Sequence, residues 1–201
     1  GEYIVRIRLI GRDRLFPGKQ GVAQIVLDQP ISAGFRDHFI LRSYSPLVTI
    51  GGGIVLENSP EPLRKKDEPI AAELERLVCA GNEEWLKWLI FRQGEKLITI
   101  EKLAQALTAT VAEISPLLAK LVKENVIRER EDKIIAAERL AECAEKITAT
   151  LAEFHRQNPL LPGLEKATLF GNLHFDEMLG DWLTEDLTQA GKIRVIGDKL
   201  A

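Results

Sequence analysis

The hydrophobic periodicity of this chain changes once along its length, and that change rules out any uniform architecture. From Tyr3 to Ile10 basic residues alternate with apolar ones, the period-two mark of a half-buried strand. Apolar runs at 21–27, 38–42 and 48–56 follow, separated by Pro17-Gly18, Gln29-Pro30 and a polar turn. From Ile70 onward apolar residues recur at helical spacing. Between these regimes, residues 57–69 carry Pro60, Pro62 and Pro69 and little apolar content, the composition of a linker. Four strands with short connections predict part of an all-β barrel or sandwich, followed by helical domains.

The helical part repeats itself. Ala71–Ala80 reads as one helix closed by Gly81, and Asn82 can cap the next, with Trp85, Leu86, Trp88, Leu89 and Ile90 inward. Leu97-Ile98 is a short extended piece, and Thr99 caps a helix at 100–107. Thr110 opens a longer helix through Ile114, Leu118 and Leu121, which Pro116 kinks or delays. The pieces Val126-Ile127-Arg128 and Lys133-Ile134-Ile135 then form a two-stranded wing. Three helices and a wing make a winged helix, an elaboration of the helix-turn-helix. A second copy follows: a helix at 138–156, a Pro159–Gly163 break, a short helix at 165–170, and a third at 175–190. Met178, Leu179, Trp182, Leu183 and Leu187 are expected inward on that third helix. The wing at 192–196 and 199–200 reads as cut short.

Gly51-Gly52-Gly53 enters the fourth strand. Three glycines in a strand cost backbone entropy, so the run predicts a bulge or close backbone approach rather than a ligand loop.

Pro17-Gly18, Gln29-Pro30, Arg36-Asp37-His38-Phe39-Ile40-Leu41-Arg42 and Thr49-Ile50-Gly51-Gly52-Gly53 occur in an order that resembles the last barrel domain of translational GTPases such as elongation factor Tu. The string Phe154–Gly163 resembles a motif at the second winged helix of the SelB family, the bacterial selenocysteine-specific elongation factors. The resemblance covers nearly the whole chain. It implies an α+β multidomain fold: an EF-Tu domain-III-like β-barrel part at 1–58, a linker at 59–69, and winged helices at 70–136 and 137–201. It implies a cytoplasmic monomer whose whole protein delivers selenocysteinyl-tRNA to the ribosome with GTP. On this reading the chain is a fragment: early barrel strands, the GTPase domain and the winged helices that grip the selenocysteine-insertion mRNA hairpin lie outside it. GTP and magnesium are then expected in an N-terminal domain that precedes it, and no cofactor in these residues. No Gly-x-x-x-x-Gly-Lys-Ser/Thr segment is present to cradle a phosphate, so this part is not expected to be an enzyme.

By position in the motif, the resemblance places the turn Arg42-Ser43-Tyr44-Ser45, and Gln29 before Pro30, near the tRNA backbone. Arginine supplies charge, hydroxyls hydrogen-bond phosphate and ribose, and tyrosine lies against sugar or base. The alternative is that Arg42 and Tyr44 only close a β turn.

Charge divides with the fold. Residues 1–66 hold ten Lys/Arg against six acids, the remainder 17 against 24. The second copy's third helix carries Asp176, Glu177, Asp181, Glu185 and Asp186 and no base, which opposes phosphate binding. Those acids read as a solvated face rather than paired catalytic carboxylates. A spacer role for the winged helices follows. His38, His155 and His174 share no metal-ligand spacing with cysteine or carboxylate, so no metal site is expected. Cys79 and Cys143 read as reduced, buried and helical. No apolar run is long enough for a membrane. The rival readings are a winged-helix transcription regulator with a β sensing domain and a stand-alone scaffold protein.

Overall fold

The computed structural model describes residues 1–58, 63 and 67–201. Four strands form where the alternation places them: β1 Val5–Leu9, β2 Ala23–Leu27, β3 His38–Arg42 and β4 Thr49–Ile54. They pair as two separate antiparallel ladders, β1 with β2 (Val5 opposite Leu27) and β3 with β4 (His38 opposite Ile54). The register of β3–β4 shifts between Leu41 and Arg42, which leaves Ile50 as an extra residue on β4. Past the end of β1–β2 the Ile10 amide donates to the Val22 carbonyl at 3.0 Å, and both side chains are buried.

Most of the expected linker, 59–62 and 64–66, lies outside the described residues. Leu63 within it is buried, its amide donating to Gln24 Oε1 at 3.3 Å and its carbonyl accepting from the Arg8 guanidinium at 3.4 Å. Helix α1 then spans Glu68–Leu77 and takes in the last two residues of the expected linker. Pro69 is compatible with that start because first-turn amides have no intrahelical acceptor to lose.

The helix also stops earlier than its apolar content suggests. The Leu77 carbonyl is taken by Trp85 Nε1 at 2.9 Å and by the Ala80 amide at 3.0 Å, so the chain turns there. Cys79, expected to be helical and buried, lies in that turn and is exposed. Cys143 is buried as expected.

The connection before β3 is held against this turn. The Phe35 ring meets Trp85 edge-on at 5.0 Å, and the Phe35 amide donates to Thr108 Oγ1 at 2.7 Å. Arg36, at φ +67, donates to the Ala80 carbonyl. The Asp37 carboxylate accepts from the Gly34 amide at 2.7 Å. Residues 1–86 with 104–110 thus make one compact unit, and 87–103 with 111–201 a second.

After α2 (Asn82–Arg92) come β5 Ile98–Thr99, α3 Ile100–Ala106, α4 Val111–Lys123, β6 Ile127–Arg130 and β7 Lys133–Ala136. Thr99 Oγ1 accepts from the Lys102 amide at 3.2 Å, the expected cap. Pro116 sits inside α4 without dividing it. The second copy follows as α5 Ala137–Gln157, β8 Leu164–Glu165, α6 Lys166–Leu173, α7 Glu177–Gln189, β9 Val195–Ile196 and β10 Lys199–Leu200. The two sheets have the same order, β5-β7-β6 and β8-β10-β9, each with its last strand in the middle. β9 and β10 pair, and Arg194 and Ala201 exchange backbone hydrogen bonds beyond them.

The second copy's core is built from Leu140, Cys143, Ile147 and Leu151 of α5, Leu169 and Phe170 of α6, Leu179, Trp182, Leu183 and Leu187 of α7, and Leu200. Ile135 from the first wing joins it. Met178, expected inward, is 50% exposed. The inner stripe runs 179, 183, 187, and Met178 lies about 100° off it on a 3.6-residue helix.

Candidate nucleic-acid interface

Arg42 closes β3, and the chain reverses through Ser43–Leu47 before β4. The Ser43 amide donates to the Val48 carbonyl at 2.8 Å. Ser43 Oγ accepts from the Val48 amide at 3.3 Å and donates to the Pro46 carbonyl. Of the four turn residues singled out from the sequence, Ser43 therefore has its hydroxyl committed to the turn itself. Tyr44 is 86% exposed, and Ser45 is exposed beside it. Their polar atoms have no hydrogen-bond partner among the described residues.

The Arg42 guanidinium stands 3.5 Å from the Glu2 carboxylate, an open contact between exposed groups that contributes ~1 kcal/mol at most. One exposed carboxylate leaves the rest of the planar fork available to a phosphate. Gln29 is exposed in the connection after β2. Because Val5 pairs with Leu27, Gln29 leaves its ladder at the end that also carries Glu2. Arg42 of β3 contacts Glu2 ahead of β1, a link between strand pairs that period-two alternation cannot reveal.

Two of the three glycines sit where a side chain would not fit. A Cβ on Gly52 would lie 2.6 Å from the Phe39 carbonyl oxygen, and one on Gly53 would lie 2.7 Å from the Phe39 ring. Only glycine lets β4 pass Phe39 this closely. A Cβ on Gly51 would meet nothing within 4 Å.

The third helices hold much of their charge in internal pairs. On α4, Lys120 stands 3.9 Å from Glu124, which balances its charge locally. On α7 the expected solvated acidic face is only partly solvated. Asp176 caps the helix, accepting from the Leu179 amide at 2.7 Å. Arg130, at the end of β6, reaches α7 with both arms: Nη1 to Glu185 Oε2 at 2.9 Å and Nη2 to Asp186 Oδ1 at 2.6 Å. The same guanidinium lies 5.0 Å from the centre of the Trp182 ring, whose Nε1 donates to Asp186 Oδ2 at 3.0 Å. A cation, an aromatic and two carboxylates thus clamp the first wing to the second copy's third helix. The partners are 55 and 56 residues apart, and no local pattern marks Arg130 among its charged neighbours.

Burial, with a smaller push from Glu95, raises the Cys143 thiol to about 11, so it stays protonated and inert at neutral pH. Among the described residues no three His, Cys, Asp or Glu side chains gather as metal ligands would.

Two family models match the chain. Residues 3–62 match that of the selenocysteine-specific elongation factor β-barrel domain, and residues 148–201 match that of the elongation factor SelB winged helix. The selenocysteine-specific elongation factor of Desulfomicrobium baculatum is 28% identical over 216 aligned residues, covering 99% of this chain and 32% of the relative. The chain thus spans about a third of that relative's length. Among solved structures, the mRNA-binding domain of elongation factor SelB from E. coli, in complex with SECIS RNA, aligns with a TM-score of 0.45 at 12% identity. That alignment covers 60% of this chain and 96% of the other.

Proposed function

We propose, for a chain that belongs to the SelB family through its β-barrel and winged-helix domains, that its β region helps hold selenocysteinyl-tRNA while its winged helices act as a spacer. In the whole protein this serves GTP-dependent delivery of that tRNA to the ribosome at recoded codons, and the spacer bridges to elements that grip the mRNA hairpin.

The observation that carries the reading is the turn at Arg42–Ser45. Its backbone is closed by Ser43, yet Arg42, Tyr44 and Ser45 are exposed. A pre-closed turn loses little entropy when it meets a ligand. Its groups suit phosphate, ribose and a base face, contacts that position an RNA rather than read its sequence. The clamped acidic face of α7 supports the spacer half of the proposal, because carboxylates repel phosphate.

One titration tests both halves. The chain is bound to selenocysteinyl-tRNA and, separately, to the selenocysteine-insertion mRNA hairpin at physiological salt. The tRNA should bind, and Arg42→Ala and Tyr44→Ala should each weaken it about fivefold to tenfold, as expected for removing one charged or stacking group. Unchanged tRNA affinity in both variants refutes the turn as a contact. Submicromolar binding of the hairpin refutes the spacer.

A further inference from the structure

The connection between β1 and β2 is a second exposed feature with no role in the reading above. Its base is tied: the Ile10 amide bonds the Val22 carbonyl, and Arg12 reaches across to the Gln20 carbonyl at 2.9 Å while pairing with Glu75. Its tip is a tight turn, Phe16-Pro17-Gly18-Lys19, in which the Lys19 amide donates to the Phe16 carbonyl at 3.0 Å. Pro17 presets the first corner, and Gly18 at φ +74 supplies the second, the geometry of a type II turn.

This ordered tip points outward. Every residue from 13 to 20 is exposed, with Phe16 at 66% and Leu15 at 42%. Arg14 and Lys19 flank Phe16, and neither side chain has a partner among the described residues. An aromatic ring held outward between two unpaired cations is what single-stranded nucleic acid uses: a base stacks on the ring while its phosphates meet the charges. Residues 1–66, with ten bases against six acids, supply a field of matching sign.

We propose that the Arg14–Lys19 loop is a stacking contact for an unpaired RNA nucleotide, with Phe16 against the base and Arg14 and Lys19 on the adjoining phosphates. The contact is separate from the turn at Arg42–Ser45 and stands without it.

The test is fluorescence anisotropy of a fluorescein-labelled ten-nucleotide oligoadenylate titrated with the chain at two salt concentrations. Phe16→Ala should weaken binding about tenfold and leave the salt dependence unchanged, since stacking carries no charge. Phe16→Trp should preserve affinity. Arg14→Ala with Lys19→Ala should flatten the slope of log affinity against log salt by about 1.4, or ~0.7 for each single-strand phosphate left without its cation. Circular dichroism melts of these exposed-loop variants check that each still folds. The proposal is overturned if the parent chain does not bind the oligonucleotide, if Phe16→Ala binds as the parent does, or if only Arg42→Ala and Tyr44→Ala lower the affinity. The last result would assign the RNA to the other turn.

Discussion

The β3–β4 turn and helix α7 both concentrate charged and polar side chains, and they use them in opposite ways. On the turn, one hydroxyl closes the backbone and the remaining groups stay open. On α7, one carboxylate caps the helix and two more close on Arg130, over a face whose apolar residues are buried. A count of charges would rank α7 as the richer surface. The geometry ranks the turn first, because a side chain already satisfied within the molecule must be desolvated and unpaired before a ligand can have it.

Substitutions at three places can break or sharpen this contrast. The largest effect should come from beneath the open turn. Gly52→Ala places a methyl against the Phe39 carbonyl and should cost about 2 kcal/mol in denaturant unfolding, in the range of overpacked sites. Gly51→Ala, with space around it, should change stability by less than about 0.5 kcal/mol. Equal costs at the two positions would mean that Phe39 does not dictate the glycines.

Next comes the clamp. Arg130→Ala removes a two-armed ion pair and a cation–aromatic contact from partly exposed groups, and should cost ~1 kcal/mol. That cost should shrink as salt rises, and it should be non-additive with Asp186→Asn in a double-mutant cycle. An additive cycle would return α7 to the solvated face expected from sequence. The smallest effect belongs to Tyr44→Ala, which should leave the melting temperature unchanged while altering RNA binding. A marked drop in melting temperature would make Tyr44 a structural residue and close the open side of the comparison.

What could be read in advance follows from the range of the forces involved. Periodicity and turn residues are local, so β1–β4 and both sets of winged-helix elements stand close to where their patterns put them. The glycine run signalled a close backbone approach, and the approach lies at Gly52 and Gly53 but not at Gly51. Pairings across long sequence separations left no local trace. Cys79 lies in a turn because Trp85 takes the Leu77 carbonyl, and nothing in the apolar pattern of 71–80 announces that donor. Arg130 resembles its neighbours Arg128 and Lys133 until α7 folds beneath it. The Arg42–Glu2 contact links the two strand pairs across 40 residues of sequence. Met178 was misplaced for a local reason: it adjoins the stripe at Leu179 and is apolar, but it faces away.

The strand order of the two small sheets sets a timetable for synthesis. In each module the central strand is the last to leave the ribosome, so the opening strand waits through two whole helices with its ladder unfilled. The first module can close as soon as Lys133–Ala136 emerges, and its wing is then ready before most of α5 exists. The second cannot close until Lys199–Leu200 arrives, with Leu200 entering the core last of all. Arg130 is therefore synthesised at least 55 residues before its carboxylate partners, which reach it only once α7 has emerged.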